Sequence, residues 1–230
     1  WVDGTVAMSA APMARPSSPP RVVRLPAQLL RYDADGGGVH TIGTFPGTEY
    51  YEGEVFAVRP LPWARISYLA TFGTGTVVGT NDTYEVRFLS PTGAVQTIIR
   101  RSVSPRRITP SEQDAERERL RTARRAERAT GLRGLPDSVF ALFSADEERM
   151  FSEVPFPPTY PAYETVLAAQ DGHLWVREFS AGGDADTARQ RWTVFRPDGR
   201  MLGEVHLPGR FTLYEANYER VLGVQTDAMG

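Results

Sequence analysis

Between residues 171 and 208 the chain alternates apolar and polar positions in three short runs: His173–Ser180, Arg191–Arg196 and Met201–Leu207. A period of two over four to eight residues is the signature of half-buried strands. The last two runs are joined by Pro197-Asp198-Gly199-Arg200, a turn whose Asp and Gly tolerate the positive φ that tight hairpins need. The pattern recurs upstream. Strands are predicted at 28–32 and 39–45 around the turn 33–38, and at 66–72, 76–80, 84–89 and 95–100, the last two joined by Ser90-Pro91-Thr92-Gly93. Further strands are predicted at 163–170, 211–215 and 219–225. Residues 11–27 and 46–65 are rich in proline and read as extended loops.

Residues 101–162 interrupt the pattern. Thr109-Pro110-Ser111-Glu112 is a helix start, with Thr as N-cap, Pro at the first helical position and Glu three residues after the cap. The helix is expected to run to about Thr130 and stop at Gly131. Pairs Asp114/Arg117, Glu116/Arg119 and Glu118/Arg121 at i,i+3 support it as a solvated element. A second short helix is expected at 145–151. Residues 100–133 hold eleven Arg against five acidic residues. That balance reads as a salt-bridged helical insertion, over about 105–155, with protein docking as its functional option.

Composition narrows the chemistry. The 230 residues suffice for one sizeable β domain, read as a single domain over 1–230. Net charge is −2, so no global field draws nucleic acid or an anionic membrane. No apolar run is long enough for a spanning helix. Every basic residue is Arg, which leaves no Schiff-base lysine. There is no Cys, which excludes disulfides, zinc–thiolate sites and thiol nucleophiles. No nucleophile-elbow, P-loop or dinucleotide motif is present. His40, His173 and His206 show no metal-binding spacing and read as surface or turn residues. Asp184 and Asp186 stop short of a calcium loop. Asn81-Asp82-Thr83 matches a glycosylation acceptor and reads as a turn.

Overlaying the copies gives a repeat of about 40–50 residues: a Gly turn, a strand, a polar loop, a strand ending in an aromatic or Leu, a Pro/Asp-Gly turn and a last strand. Four-stranded repeats of that length are the grammar of propeller blades. With its Pro155–Tyr163 lead-in, its Gly172–Val176 strand (GHLWV) and its Trp192–Arg200 hairpin (WTVFRPDGR), the chain resembles six-bladed β-propellers of the NHL-like type, as found in a group of bacterial proteins. The resemblance implies an all-β, partial β-propeller: three four-stranded blades and part of a fourth, with a helical insertion at about 109–151. The missing blades would be its first partner, and a periplasmic or secreted setting is expected.

The resemblance also implies the function. Such rings bind a protein, peptide or small ligand at the channel mouth without catalysis, or act as sensors. Arg65, Tyr68, Tyr163, Glu164, Arg177 and Tyr218, at inner-strand positions, are the expected ligand-binding residues. No cofactor is expected on that reading. The alternative is a calcium-dependent lactonase-like hydrolase of the gluconolactonase type. In that family Glu, Asn and Asp hold a divalent cation, a role that would fall to Glu164 and Asn217 here.

Overall fold

A computed structural model describes residues 6–10, 13, 15–53, 58–73, 75–131, 151–181 and 189–226. Four antiparallel sheets follow one another in chain order. The first contains β1 (Val6–Ala10), β2 (Arg21–Tyr32), β3 (Val39–Glu52) and β4 (Val58–Pro60). The second contains β5 (Ser67–Phe72), β6 (Gly75–Thr80), β7 (Glu85–Leu89) and β8 (Val95–Arg100). The third contains β9 (Thr165–Ala168), β10 (Leu174–Arg177), β11 (Gln190–Phe195) and β12 (Met201–Leu207). A hairpin of β13 (Phe211–Ala216) and β14 (Val221–Gln225) is the fourth. Within each sheet, neighbours in sequence are neighbours in space, the simplest antiparallel meander.

One turn is used repeatedly. Gly93 N bonds to Ser90 O and Ser90 N to Ala94 O; Gly199 N bonds to Arg196 O and Arg196 N to Arg200 O; Gly172 and Ala169 repeat the scheme between β9 and β10. The glycine lies at φ 86°, 85° and 90° in the three copies. This is a type I turn closed by a left-handed residue, for which glycine carries no steric cost. The adjoining ladders slip at Phe88/Leu89 and Val194/Phe195, as that turn requires.

Side chains that alternate along each strand bury both faces of the middle sheets. Val78, Leu69 and Leu89 pack with Leu29, Ile42 and Phe45 of the first sheet. On the opposite face Val77, Val86, Phe88 and Ile99 meet Val166, Leu174, Val176 and Phe195 of the third sheet, around Tyr163. The other face of the third sheet sets Trp175, Trp192, Val194 and Leu207 against Phe211, Leu213 and Ala216 of the hairpin. Trp175, Trp192 and Phe195 are all buried in these cores. The first strands of the last three sheets also meet, β5 with β9 and β9 with β13, while the first sheet meets β5 through β3.

Two expected loops are corrected. Residues 21–27 belong to β2, and 46–52 extend β3, so the hairpin is far longer than the proline content suggested. Pro26 stands opposite Pro46 at a shift in register, so the two missing donors fall where the ladder is already interrupted. The helix α1 (Pro110–Gly131) begins as expected. Glu112 accepts from the Thr109 N–H at 2.8 Å, and Glu112 N donates back to Thr109 Oγ1 at 3.3 Å. The three anticipated i,i+3 ion pairs form. Of the second helix, residues 151–153 are helical; 145–150 lie outside the described residues, as do Asp184 and Asp186.

Candidate ligand-binding cleft

The proline-rich segment after the insertion cannot form helix, and it is strapped across the second and third sheets in extended form. Arg65 Nη2 donates to Thr159 O and to Thr159 Oγ1, Ile108 N to Pro158 O, Tyr160 N to Arg106 O, and Ala162 N to Asn81 O. This strap carries aromatic rings into a row. Phe156 lies 5.2 Å from Trp63 between ring centroids, Trp63 lies 4.7 Å from Tyr160, and Tyr160 lies 5.0 Å from Phe179. Arg106 stacks on Tyr160 at 4.3 Å and Arg117 on Phe156 at 4.9 Å. Trp63 sits at φ 53°, the one non-glycine residue in the left-handed region among those described. For a bulky side chain that geometry costs of order 1–3 kcal/mol, and such residues cluster at binding and catalytic sites.

Of these rings Trp63, Phe156 and Phe179 line a cleft of about 970 Å³. Tyr68 of β5, Glu164 and Arg177 line it from the inner strands, Glu116, Arg117 and Leu120 from α1, and Arg189, Arg191 and His206 from the outer part of the third sheet. Arg177 Nε lies 3.2 Å from Glu164 Oε2. Burial raises the Glu164 carboxyl above the usual carboxylate range, against the pull of Arg177. Burial, helped by the charge of Glu164, pushes the Tyr68 hydroxyl up to about 12. Glu116 is buried and held by Arg119 through two bonds of 2.6 and 2.7 Å.

Glu178, one position past Arg177, turns its carboxylate to another task. Its Oε1 accepts from Thr193 Oγ1 at 2.5 Å, from Arg101 Nη1 at 2.9 Å and from Tyr84 Oη at 3.0 Å. A buried carboxylate with three donors is satisfied, and it ties the second sheet to the third. Asn81 is buried too: its side chain accepts from Ile66 N at 2.7 Å, and residues 81–84 form the turn that the sequence suggested.

The structure brings three of the six expected residues together: Tyr68, Glu164 and Arg177. Arg65 is buried and anchors the strap through Thr159. Tyr163 is wholly buried in the apolar seam, with its ring 5.8 Å from Tyr68 and 5.5 Å from Tyr84. Tyr218 is exposed on the β13–β14 turn, bonded to Glu219, and Asn217 closes that turn by accepting from the N–H groups of Glu219 and Arg220. Neither is among the residues that line the cleft with Glu164. His40 pairs with Asp33, and His173 with Asp171, at 3.3 and 2.8 Å. Among the described residues no group of three or more His, Asp or Glu side chains is placed to hold a metal ion, and no helix is long and apolar enough to cross a membrane.

Trp63, Phe156, Arg191 and His206 were not anticipated as site residues. The signal for Trp63 was a tryptophan preceded by Pro60 and Pro62 in a connection, where a large ring has no strand face to fill. Nothing local marks Arg191 and His206; they become a pair only through the register of β11 with β12. Neither family models nor curated proteins match the chain.

Proposed function

We propose that the protein is a non-catalytic binding or sensor module of propeller type, and that it takes a small ligand or a peptide side chain in the cleft between its inner strands and α1. The observation that carries this reading is the convergence of Tyr68, Glu164 and Arg177 beneath an aromatic wall that holds Trp63 in a strained backbone conformation. Rigid aromatics next to Arg and Tyr give contact area and hydrogen bonds at little entropic loss. The successive packing of four antiparallel sheets, with the first strands of the last three adjacent, supports the propeller architecture. In such a fold the loops and inner strand ends at one mouth form the binding surface.

The test is a fragment screen followed by ¹⁵N-resolved NMR, with the Trp63 indole signal assigned through Trp63→Phe. Ligands of this site shift that signal together with Tyr68 and Arg177, and lose at least tenfold in affinity in Arg177→Ala. Hits that shift only residues of β1–β3 or the β13–β14 hairpin would count against the reading. A calcium titration of the thermal midpoint accompanies the screen, since ligands of the native state raise its stability by mass action. A rise of several degrees, abolished by Glu164→Gln, would favour the lactonase-like alternative.

A further inference from the structure

The cleft is lopsided in charge. Among the described residues it is lined by six arginines (59, 117, 119, 177, 189 and 191) and three glutamates (116, 164 and 178) on a chain of net charge −2. Each glutamate is already bound to an arginine: Glu116 to Arg119, Glu164 to Arg177, Glu178 to Arg101. Arg191 lies directly opposite His206 in the β11–β12 ladder, so the two side chains leave the sheet on the same face. Both are exposed at the cleft. Among the described residues no side-chain hydrogen bond or ion pair engages either of them or Arg189. Two nitrogen-donor side chains placed opposite one another without an acceptor gain no hydrogen bond from each other. The same arrangement offers a fork of donors to an incoming anion. The Trp63 and Phe156 rings line the same cleft and offer a surface for a planar body.

We infer that the ligand of this cleft is a planar or aromatic carboxylate, with its ring against Trp63 and its carboxylate on Arg191, assisted by Arg189 and His206. This rests on the cleft-binding reading above and adds the chemical class. The anion selects the arginine end, where charge is in surplus. The planar body selects the aromatic end, where the strained Trp63 presents its ring.

The test measures binding of three probes to the whole chain by calorimetry, with the Trp63 indole NMR signal as reporter: 2-naphthoate, its neutral isostere 2-naphthamide, and acetate. Hydrogen bonds to a charged group are worth roughly 10- to 100-fold in affinity. Naphthoate is therefore expected to bind that much more tightly than naphthamide, with acetate weaker than both. The double variant Arg189→Gln/Arg191→Gln, both at exposed positions, should abolish the preference for naphthoate over naphthamide, with the thermal midpoint as the control for folding. Equal binding of naphthoate and naphthamide, both shifting Trp63, overturns the carboxylate assignment while the cleft stands as a binding site. A naphthoate preference that survives the double variant overturns the role of these arginines. Binding of neither probe overturns the inference outright, and the fragment screen then decides separately whether the cleft binds at all.

Discussion

The seam between the second and third sheets and the cleft at its end share strands, and they treat charge in opposite ways. In the seam, Glu178 is 8% exposed and every donor around its Oε1 is committed to it. In the cleft, the Glu164 side chain is 38% exposed, has one arginine partner, and is held above the usual carboxylate range. The two residues are close in the same sheet, because Glu164 N bonds to Arg177 O next to Glu178. What separates them is the number of preorganised donors. A carboxylate with three is part of the fold, and one with a single, half-solvated partner is left with capacity for something else.

The largest effect expected is on the seam. Tyr163→Ala removes a wholly buried ring and should lower unfolding free energy by about 3–5 kcal/mol, read from the denaturant midpoint at unchanged m-value. Glu178→Ala follows. It strands Tyr84 and Thr193, and because Arg101 is one-third exposed the loss belongs at the low end for a broken buried pair, about 3 kcal/mol. A loss below 1 kcal/mol would show that water replaces the carboxylate, and the contrast with the cleft would collapse.

Third comes the packing of one glycine. A methyl group on Gly79 would run into the Tyr163 hydroxyl and lie 3.2 Å from Val86 Cγ2. Gly79→Ala should cost about 1–3 kcal/mol. Tyr163→Phe alone deletes a buried hydroxyl that has no partner and should raise stability by about 1 kcal/mol. In the double variant the two effects should fail to add by at least ~0.5 kcal/mol, because they share one contact. Additivity would place the clash elsewhere.

Those four substitutions also mark how far the sequence could be read. The Gly-closed turns and the Thr109–Glu112 cap were visible because their chemistry lies within five residues. The strands of the third sheet were visible because apolar and polar positions alternate along them. By contrast, β2 and β3 were read too short, since Pro26 and Pro46 look like breakers singly and are harmless only as opposed partners. Tyr163 was expected at a binding surface, yet the strap delivers it into the seam between Tyr68 and Tyr84. Trp63, Arg191 and His206 meet across long stretches of chain, which no local period reveals.

The smallest expected effects lie in pH dependence, where two glutamates should act with opposite sign. Glu112 accepts from the backbone of Thr109 and from Arg106, which pull its carboxyl down from 4.5 to about 2. Its contribution to the start of α1 is present above pH 4.5 and is lost as pH falls towards 2. Glu164 is raised by burial, so its contribution is complete below 4.5, in the protonated form, and is lost as pH rises through its folded value. Stability measured from pH 7 to pH 2 should therefore lose part of its acid-side decline in Glu112→Gln and decline more steeply in Glu164→Gln. At pH 7 Glu164→Gln should change stability by under about 1 kcal/mol, as expected for a partly solvated pair. The same slope in both variants would remove the distinction between a fold carboxylate and a cleft carboxylate.

Each sheet is fastened to the next in chain order, by Arg24 to Asp82 at 2.6 Å, by Arg101 to Glu178, and by Asp171 to the Tyr218 N–H at 2.8 Å. Units linked to their neighbours along a chain behave as a row whose cooperativity is the strength of each link. Amide protons of one sheet should then exchange together as a block, in steps set by the seams rather than in one global event. Cutting the exposed Arg24–Asp82 link should lower the protection of the first block only slightly, because Leu29, Ile42 and Phe45 still pack on the second sheet, while the Tyr163 seam keeps its own protection. The row of sheets thus makes the protein a set of separable energetic domains along a single chain, with the cleft lying over the joint between two of them.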